Sequence, residues 1–207
     1  MTNINGLVVS SRNAKKCGEL EILLKPLGIE VRGVAAFPDA PEVEETGTTF
    51  GENAELKATQ VAKVIQEWTI GDDSGLQVDH LQGAPGIFSA RYAGEGATDT
   101  ENNAKLLEAL KGVDEAKRGA QFVCHLAISD PTGRIRLTAS GRCRGQILSD
   151  ASGTSGFGYD PLFRIREYHR TFGQLSPVVK SVLSHRARAI AQLLRGLPRL
   201  LREANLG

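Results

Sequence analysis

The chain has 207 residues, of which 41% are hydrophobic and 24% are charged, so it is not intrinsically disordered, and its length fits a single domain spanning residues 1–207. Its 25 Lys and Arg residues nearly balance its 24 Asp and Glu residues, and the net charge of +1 lacks the basic excess of a protein that binds nucleic-acid backbones. Because its three cysteines have no paired spacing and it shows no export signal or membrane-length apolar run, we expect a cytoplasmic protein that binds neither nucleic acid nor membranes.

The first elements predict a β-α-β unit. Residues 7–10 are apolar enough for a short buried strand, and leucines at helical spacing after them predict an amphipathic helix that ends at Gly28. Residues 29–34 predict a second strand. After an acidic loop at residues 38–48, residues 49–52 match a capping box and predict the start of a second helix.

The middle of the chain predicts a strand that carries two acids. Residues 68–71 are predicted to return to the sheet and to deliver Asp72 and Asp73, the acid pair, at the end of the strand, ahead of a Ser-Gly turn. Adjacent carboxylates raise each other's energy when both are ionised, so we expect a neutralising cation or a shared proton nearby. When all ligands are oxygens, the usual neutralising cation is a hard divalent metal. The alternative interpretation is that the two acids belong to an ordinary Asp-rich turn without a functional role.

The remaining elements complete a mixed sheet. Residues 102–110 predict a helix, and residues 121–129 and 134–141 predict the two strands of a hairpin. Residues 153–161 predict a glycine-rich loop, and residues 184–197 predict a last helix that a proline ends. Because a crossover unit is followed by a hairpin, we expect an α/β fold with a mixed sheet.

Two segments carry cations at predicted helix starts. A helix N-terminus suits phosphate, whereas lysines there oppose the helix dipole, and a bound anion would remove this conflict at Lys15 and Lys16. His185 and Arg186 follow the capping residue Ser184 in the same way. The alternative to an anion site is that the lysines are simply solvated. For Arg186, the alternative is a position at the surface or in a subunit contact.

An acidic loop and the helix after it form a third group. Glu42, Glu44 and Glu45 gain a role only if the fold brings them beside the acid pair, and otherwise they belong to a solvated loop. Asn53 and Lys57 lie four residues apart and therefore share a helix face that suits a cleft. An ordinary polar pair at a helix boundary is the alternative.

The glycine-rich loop combines flexibility with aromatic faces. Phe157 and Tyr159 offer surfaces on which a nucleobase can stack, and Asp160 offers a hydrogen-bond acceptor. The alternative is a structural loop whose aromatic side chains cap the core.

Together these segments resemble the inosine triphosphate pyrophosphatase family, the non-canonical purine nucleoside triphosphate pyrophosphatases or XTP/dITP diphosphatases. The resemblance runs from about Leu7 to Ile190, and its specificity lies in the order and spacing of the motifs. Two departures are small: Gly51 replaces a more usual acidic or bulky residue, and Gly71 replaces a usual alanine. The matching segments are Ser11-x-Asn13-x-x-Lys16, Glu45-Thr46-Gly47-x-Thr49-Phe50-x-Glu52-Asn53-Ala54, Asp72-Asp73-Ser74-Gly75-Leu76, Gly83-Ala84-Pro85-Gly86-x-x-Ser89-Ala90-Arg91-Tyr92, Gly156-Phe157-Gly158-Tyr159-Asp160-Pro161, Lys180 and Ser184-His185-Arg186.

The resemblance implies an elongated mixed β-sheet in two lobes flanked by helices, with the active-site cleft between the lobes, in a homodimer. It implies hydrolysis of ITP, dITP and XTP to the nucleoside monophosphate and pyrophosphate with Mg²⁺. It also implies that Asp73 is the proton acceptor and a metal ligand. The implied substrate contacts are Ser11, Arg12, Asn13, Ala14, Lys15, Lys16, Ser74, Phe157, Gly158, Tyr159, Asp160, Lys180, His185 and Arg186.

The chemistry of the residues agrees with these roles. Attack by water between the first two phosphates needs a metal that neutralises charge and a base that orients the water. Lys16 and Lys57 are expected to neutralise phosphate oxygens as point charges. The expected metal ligands are Asp73 and Glu45, with Glu44 and Asp72 as neighbouring candidates.

Selectivity is expected at the 6-position of the purine, where inosine and xanthine present an acceptor oxygen and adenine presents an amino donor. Donors from His185, Arg186 or backbone N–H groups would leave that amino group unpaired, and sites of this type discriminate by about 10⁴-fold or more. Phe157 would stack on the base. Two other hypotheses stay open: a silent nucleotide-binding module, and a pyrophosphatase of a modified pyrimidine triphosphate.

Overall fold

The structure, a computed structural model, describes residues 6–206. Over this range, none of the helices combines the length and the apolar character that a membrane crossing requires. The strands are β1 (Gly6–Val9), β2 (Glu30–Gly33), β3 (Thr69–Val78), β4 (Gly119–Ser129), β5 (Ile135–Ile147), β6 (Phe163–Ile165) and β7 (Arg170–Thr171). The helices are α1 (Ala14–Leu24), α2 (Phe50–Ile65), α3 (Asp99–Ala109), α4 (Pro177–Leu183) and α5 (His185–Leu206).

The strands form one sheet in the order β2-β1-β3-β4-β5-β6-β7. β1 runs parallel to both β2 and β3, whereas β6 runs antiparallel to both β5 and β7. The parallel pairing of β1 with β2 follows from the crossover through α1, and the short connection between the neighbouring strands β4 and β5 makes the predicted hairpin. The predicted α/β fold with a mixed sheet is therefore confirmed.

The chain divides into two compact units, of which the first is built around α1, α2 and α5. Its largest core buries leucines of α1 and α5 against strand residues such as Ile70. A smaller cluster packs alanines of α2 against Ala127 of β4, which brings α2 close to the sheet. The described residues of this first unit are 6–73, 124–141 and 186–206.

The second unit has an aromatic core. The ring of Phe122 lies 4.6 Å from that of Phe163 and 6.1 Å from that of Phe172, measured between centroids. Leu106 and Leu110, at the C-terminal end of α3, complete this core. The second unit consists of residues 74–123 and 142–185. A single two-lobed domain over residues 1–207, with a cleft between its lobes, stays a prediction.

The strand that carries the acid pair is longer than the sequence predicts. β3 continues well beyond Asp73, so the predicted end of the strand and the predicted Ser-Gly turn are both wrong. Gly75 serves close packing instead, because a Cβ there would lie 2.4 Å from Oγ of Ser89 and 2.6 Å from the carbonyl oxygen of Gly86. The acid pair therefore lies inside a strand.

The last helix is also longer than predicted. α5 begins at His185 as expected, but it continues through Pro198, so the predicted end before that proline is wrong. Proline removes one backbone hydrogen bond from a helix interior and crowds the preceding turn. Leu193 and Leu200 lie on either side of the proline and are buried in the core of the first unit, which offsets that cost.

The starts of the first two helices agree with local sequence signals. Oδ1 of Asn13 accepts the N–H groups of Lys15 at 3.0 Å and Lys16 at 3.2 Å, which caps α1. In α2 the predicted capping box is confirmed: Glu52 accepts the N–H of Thr49 at 3.2 Å, and Thr49 Oγ1 accepts the N–H of Glu52 at 3.1 Å. These caps define where the helices that carry candidate site residues begin.

Candidate active site

The two acids of β3 point to opposite sides of the strand, since successive side chains of a strand alternate. Both are buried, Asp72 being 0% exposed and Asp73 4% exposed. Asp72 contacts the guanidinium of Arg186, and Asp73 contacts the ammonium of Lys57. The neutralising cation that the sequence predicts is thus supplied to each acid by a basic side chain.

Asp73 lies against α2. Its Oδ1 is 2.8 Å from Nζ of Lys57, and Asn53 donates from Nδ2 to its Oδ2 at 3.4 Å. Burial raises the pKa of the Asp73 carboxyl above its usual value, while the ammonium groups of Lys57 and Lys16 oppose that rise. A buried carboxylate with a raised pKa has the properties of a general base.

The ammonium group of Lys57 has three oxygen neighbours. Its Nζ lies 2.6 Å from Oε1 of Glu45, 2.8 Å from Oδ1 of Asp73 and 3.3 Å from the carbonyl oxygen of Asp72. Burial alone would lower the pKa of Lys57, but the two carboxylates outweigh burial and raise the pKa above its usual value. Lys57 is therefore charged and bridges two predicted metal ligands. Glu44, another candidate, is exposed in the loop before α2.

Asp72 belongs to a separate charge cluster that joins β3 to α1 and α5. Nε of Arg186 donates to Oδ2 of Asp72 at 2.7 Å, and Nη2 donates to Oδ1 at 3.3 Å. Nζ of Lys16 lies 3.5 Å from the same Oδ1. The guanidinium also forms an ion pair with Glu19, and the Cys124 thiol lies 3.6 Å from Oδ2 of Asp72.

Arg186 is enclosed by this cluster, with 1% of its surface exposed. Burial alone would lower the pKa of its guanidinium, but the charges of Asp72 and Glu19 raise that pKa well above its usual value. Burial and the charge of Asp72 raise the pKa of the Cys124 thiol, which is therefore protonated. A nucleotide contact of Arg186 stays a prediction, and the geometry favours a residue that positions Asp72.

The segment from Ser11 to Lys16 connects β1 to α1. Asn13 already accepts the N–H groups of Lys15 and Lys16, so fewer backbone donors face an anion than the predicted phosphate site assumes. Oγ of Ser11 accepts the N–H of Asn13 at 3.2 Å. The ammonium of Lys16 reaches Asp72. The exposed members of the segment are Arg12, Asn13, Ala14 and Lys15.

Gly71 determines how closely α2 approaches β3. A Cβ on Gly71 would lie 2.0 Å from the carbonyl oxygen of Ala54 and 3.0 Å from the nitrogen of Ala58. We expect Gly71→Ala to push α2 from the strand and to lower the free energy of unfolding by about 1–3 kcal/mol, as overpacked cores do. Denaturation in urea measures this change.

The matched control for Gly71→Ala is Gly18→Ala in α1, where a Cβ meets nothing within 4 Å. Alanine favours helix over glycine by about 1 kcal/mol, so the control variant is expected to be at least as stable as the wild type. Equal stability of the two variants would contradict the close approach of α2 at Gly71.

In the second unit, Asp160 organises the glycine-rich loop. Its Oδ2 accepts the N–H of Phe157 at 2.9 Å and lies 2.6 Å from Nζ of Lys180, and both ionic side chains are buried. The same ammonium lies 4.6 Å from the centroid of the Phe157 ring. Gly156 has a φ of +79°, and a Cβ there would lie 2.0 Å from Oδ2 of Asp160. Only glycine fits at this position of the loop.

Two more loop residues are tied to the second unit. The buried Tyr159 donates its hydroxyl to the carbonyl oxygen of Ser89 at 2.9 Å, which anchors the loop in the core. The N–H of Gly158 donates to Oδ2 of Asp99 at 2.9 Å. Of the two loop aromatics, the half-buried Phe157 is therefore better placed than Tyr159 to offer a stacking face.

Three further residues that are predicted to contact the substrate lie in the second unit. His185 is 5% exposed and stacks on Phe122 with ring centroids 4.8 Å apart. Ser74 is half-buried in β3, directly after Asp73. Lys180 lies on α4, a helix of its own that the sequence pattern does not predict, with Ser176 as its N-cap.

The donor atoms around Lys57 fit a hard cation. Glu45 and Asp73 each form an ion pair with the ammonium of Lys57 through one carboxylate oxygen. Among residues 6–206, no group of three or more His, Cys, Asp and Glu side chains could hold a metal ion. Mg²⁺ commonly takes one or two carboxylates and completes its shell with water and substrate phosphates. The residues therefore fit a magnesium ion that a phosphate ligand completes.

Sequence reasoning missed Glu19, Cys124 and Phe122. Glu19 meets Arg186 across 167 positions of chain, and Cys124 meets Asp72 across 52. The available signal was weak: Glu19 lies one helical turn after Lys16, and Phe122 and Cys124 alternate along a predicted strand. No pattern of neighbouring residues predicts which distant residues these three side chains contact.

Comparison with known proteins gives matches over nearly the whole chain. Residues 7–196 match the family model of the Ham1 family. A dITP/XTP pyrophosphatase of Rhodopirellula baltica is 49% identical over 201 residues, which cover 97% of each chain. A dITP/XTP pyrophosphatase of Synechocystis is 47% identical over 194 residues, which cover 94% of this chain and 96% of that protein.

Solved structures resemble the fold equally broadly. A HAM1 protein from Coxiella burnetii has a TM-score of 0.84 and 40% identity, covering 94% of this chain and 98% of that one. A nucleoside-triphosphatase and dITP/XTP pyrophosphatase from Mycobacterium abscessus has a TM-score of 0.74 and 40% identity, covering 93% of this chain and 99% of that one. The likeness therefore extends over sequence and fold alike.

Proposed function

Because this chain belongs to the Ham1 family, we propose that it is a dITP/XTP pyrophosphatase, which hydrolyses these non-canonical purine triphosphates, and ITP, to the monophosphate and pyrophosphate. The family that the sequence predicts is thereby confirmed. One observation supports the activity most directly: the buried carboxylate of Asp73 lies 2.8 Å from the ammonium of Lys57, which also binds Glu45.

Asp73 is the proposed base. It accepts a proton from the water that attacks the α-phosphate, while the bond between that phosphorus and the pyrophosphate leaving group breaks. Asn53 donates to Oδ2 of Asp73 and so orients the carboxylate. The ammonium groups of Lys57 and Lys16 bind phosphate oxygens as point charges and offset the negative charge of the transition state.

Glu45 and Asp73 are the proposed ligands of Mg²⁺. The ion would supply Lewis-acid neutralisation of the phosphate oxygens. The geometry supports this pair because both carboxylates already share one cation. It gives less support to Glu44, which is exposed, and to Asp72, whose two oxygens accept from Arg186.

Recognition of the base is proposed for residues of the second unit. Phe157 is the proposed stacking partner, held in place by Asp160 and Lys180. Because Arg186 is committed to Asp72, the proposed donors to the purine 6-oxygen are His185 and backbone N–H groups. Adenine presents an amino donor at that position and would be disfavoured.

We also propose a homodimer that acts in the cytoplasm. Phe88 is 54% exposed within the segment Gly83–Tyr92, and exposed aromatic side chains are typical of protein interfaces. All three cysteines lie in the described residues and form no disulfide, as expected in a reducing compartment. A sedimentation mass near the 22.2 kDa of one chain would contradict the dimer.

The decisive experiment measures pyrophosphate release from ITP, XTP, dITP, ATP and GTP, with and without Mg²⁺. We expect Mg²⁺-dependent turnover of ITP, XTP and dITP, with ATP poorer by about 10⁴-fold in kcat/KM because its amino group stays unpaired. Equal turnover of all five substrates would be consistent with the proposed hydrolysis but would contradict the proposed recognition of the base by hydrogen-bond donors.

Two further outcomes separate the competing functions. Tight binding of ITP without turnover would indicate a silent nucleotide-binding module. A higher kcat/KM for a modified pyrimidine triphosphate would indicate a pyrophosphatase of another altered nucleotide. The buried Asp73 with its paired Lys57 favours catalysis over the silent module.

A further inference from the structure

The ammonium of Lys57 sits where a metal ion would bind the same acids. An ammonium group has three donors, and each has an oxygen acceptor here: Glu45 at 2.6 Å, Asp73 at 2.8 Å and the carbonyl of Asp72 at 3.3 Å. The Lys57 side chain is 10% exposed. The three oxygens thus surround one positive charge inside the protein.

Two proposed roles conflict in this arrangement. Lys57 is expected to bind a phosphate oxygen, yet all three of its donors are engaged by the protein. Glu45 and Asp73 are expected to bind a divalent metal, yet both face a buried ammonium. A divalent ion placed beside that ammonium would be repelled strongly, because like charges a few ångströms apart interact unfavourably away from bulk water.

We propose that Lys57 is an internal counter-ion that prevents a divalent metal from binding Glu45 and Asp73 until a polyphosphate binds the Lys57 ammonium in their place. The metal then enters together with the nucleotide. This step exchanges ionic partners only. The ammonium of Lys57 would pair with phosphate oxygens, and the two carboxylates would bind the metal. No covalent bond is formed or broken, and no proton is transferred. This inference rests on the proposed function for the identity of the polyphosphate.

The charges of the cluster explain the order of binding. Glu45 and Asp73 carry two negative charges, and Lys57 leaves a net charge of −1. With the ammonium of Lys57 removed, the two carboxylates would attract a divalent ion, and the remaining ammonium nearby, that of Lys16, has its ion pair with Asp72. The flexible four-carbon stem of lysine allows its charged end to move while α2 stays in place.

The test is calorimetric titration of Mg²⁺ alone into the nucleotide-free protein. We expect Lys57→Met to bind Mg²⁺ at least about tenfold more tightly than the wild type, since the repelling charge is gone. Lys57→Arg keeps the charge and is expected to bind as weakly as the wild type. Lys63→Met, an exposed lysine on the same helix, controls for the change in net charge. Equal affinity of Lys57→Met and the wild type would overturn the inference.

A second measurement needs no variant, because Lys57→Met removes the ammonium beside the buried Asp73 and could fail to fold. Mg²⁺ is titrated into the wild type with and without a dITP analogue whose α,β-bridging oxygen is replaced by CH₂. Because the phosphates of the analogue bind Mg²⁺ themselves, a titration of Mg²⁺ into the analogue alone is subtracted. We expect at least about tenfold tighter binding to the protein with the analogue, and equal affinity in both states would overturn the inference. The Lys57→Met titration contains no nucleotide, so it decides the role of Lys57 even if no substrate of the panel is turned over.

Discussion

Asp73→Asn is expected to lower kcat for pyrophosphate release from dITP by about 10²–10⁴-fold, the usual contribution of a positioned general base. The amide keeps the size of the side chain but has no proton-accepting carboxylate. Lys57 retains Glu45 as an ionic partner in this variant, so the fold is expected to persist, and circular dichroism checks it. A fixed-time assay of released pyrophosphate measures the rate.

The matched control for this variant is Asp39→Asn, which makes the same chemical change at an exposed position in the loop before α2. Its turnover is expected to equal that of the wild type. Turnover by Asp73→Asn within about tenfold of the wild type would remove Asp73 as the base, since a base contributes more than that. The proposed base would then have to be sought among other groups near the phosphate.

Arg186→Met is expected to lower the free energy of unfolding by about 3–5 kcal/mol, because it leaves the wholly buried Asp72 without its main cation. Methionine fills much of the arginine volume, so the lost charge dominates the effect. Urea denaturation measures the change. Arg195→Met, at an exposed position of the same helix, is the control and is expected to change stability by less than about 0.5 kcal/mol.

A double-mutant cycle separates the charge from the packing. In Asp72→Asn with Arg186→Met, both buried charges are removed, and the loss is expected to be smaller than the sum of the two single losses. Additive losses would show that the two side chains act independently. A loss below about 1 kcal/mol for Arg186→Met alone would contradict the buried ion pair as a main support of β3.

Local patterns predicted much of the fold and part of the site. The hydrophobic spacing and the capping signals predicted α1, α2 and the hairpin, because helix and strand periods are properties of neighbouring residues. The same periodicity predicted that Asn53 and Lys57 share a face. The structure places both of them against Asp73.

The errors arose where tertiary contacts outweighed local preference. Glycine and serine after the acid pair indicated a turn, yet Gly75 is needed so that Ser89 can approach the strand. Pro198 indicated a helix end, yet buried leucines on either side hold the helix together. Packing energy from distant residues is not visible in a window of neighbouring ones.

By itself, the sequence determined the residue types, their order along the chain and, through both, the family and the reaction that we propose. Only the tertiary structure decided which cation serves which acid. Arg186 reaches Asp72 across 114 positions, while Lys57 reaches Asp73 across 16. Two neighbouring carboxylates have the same chemistry in a sequence, but strand alternation turns them to opposite sides, where different elements supply their partners.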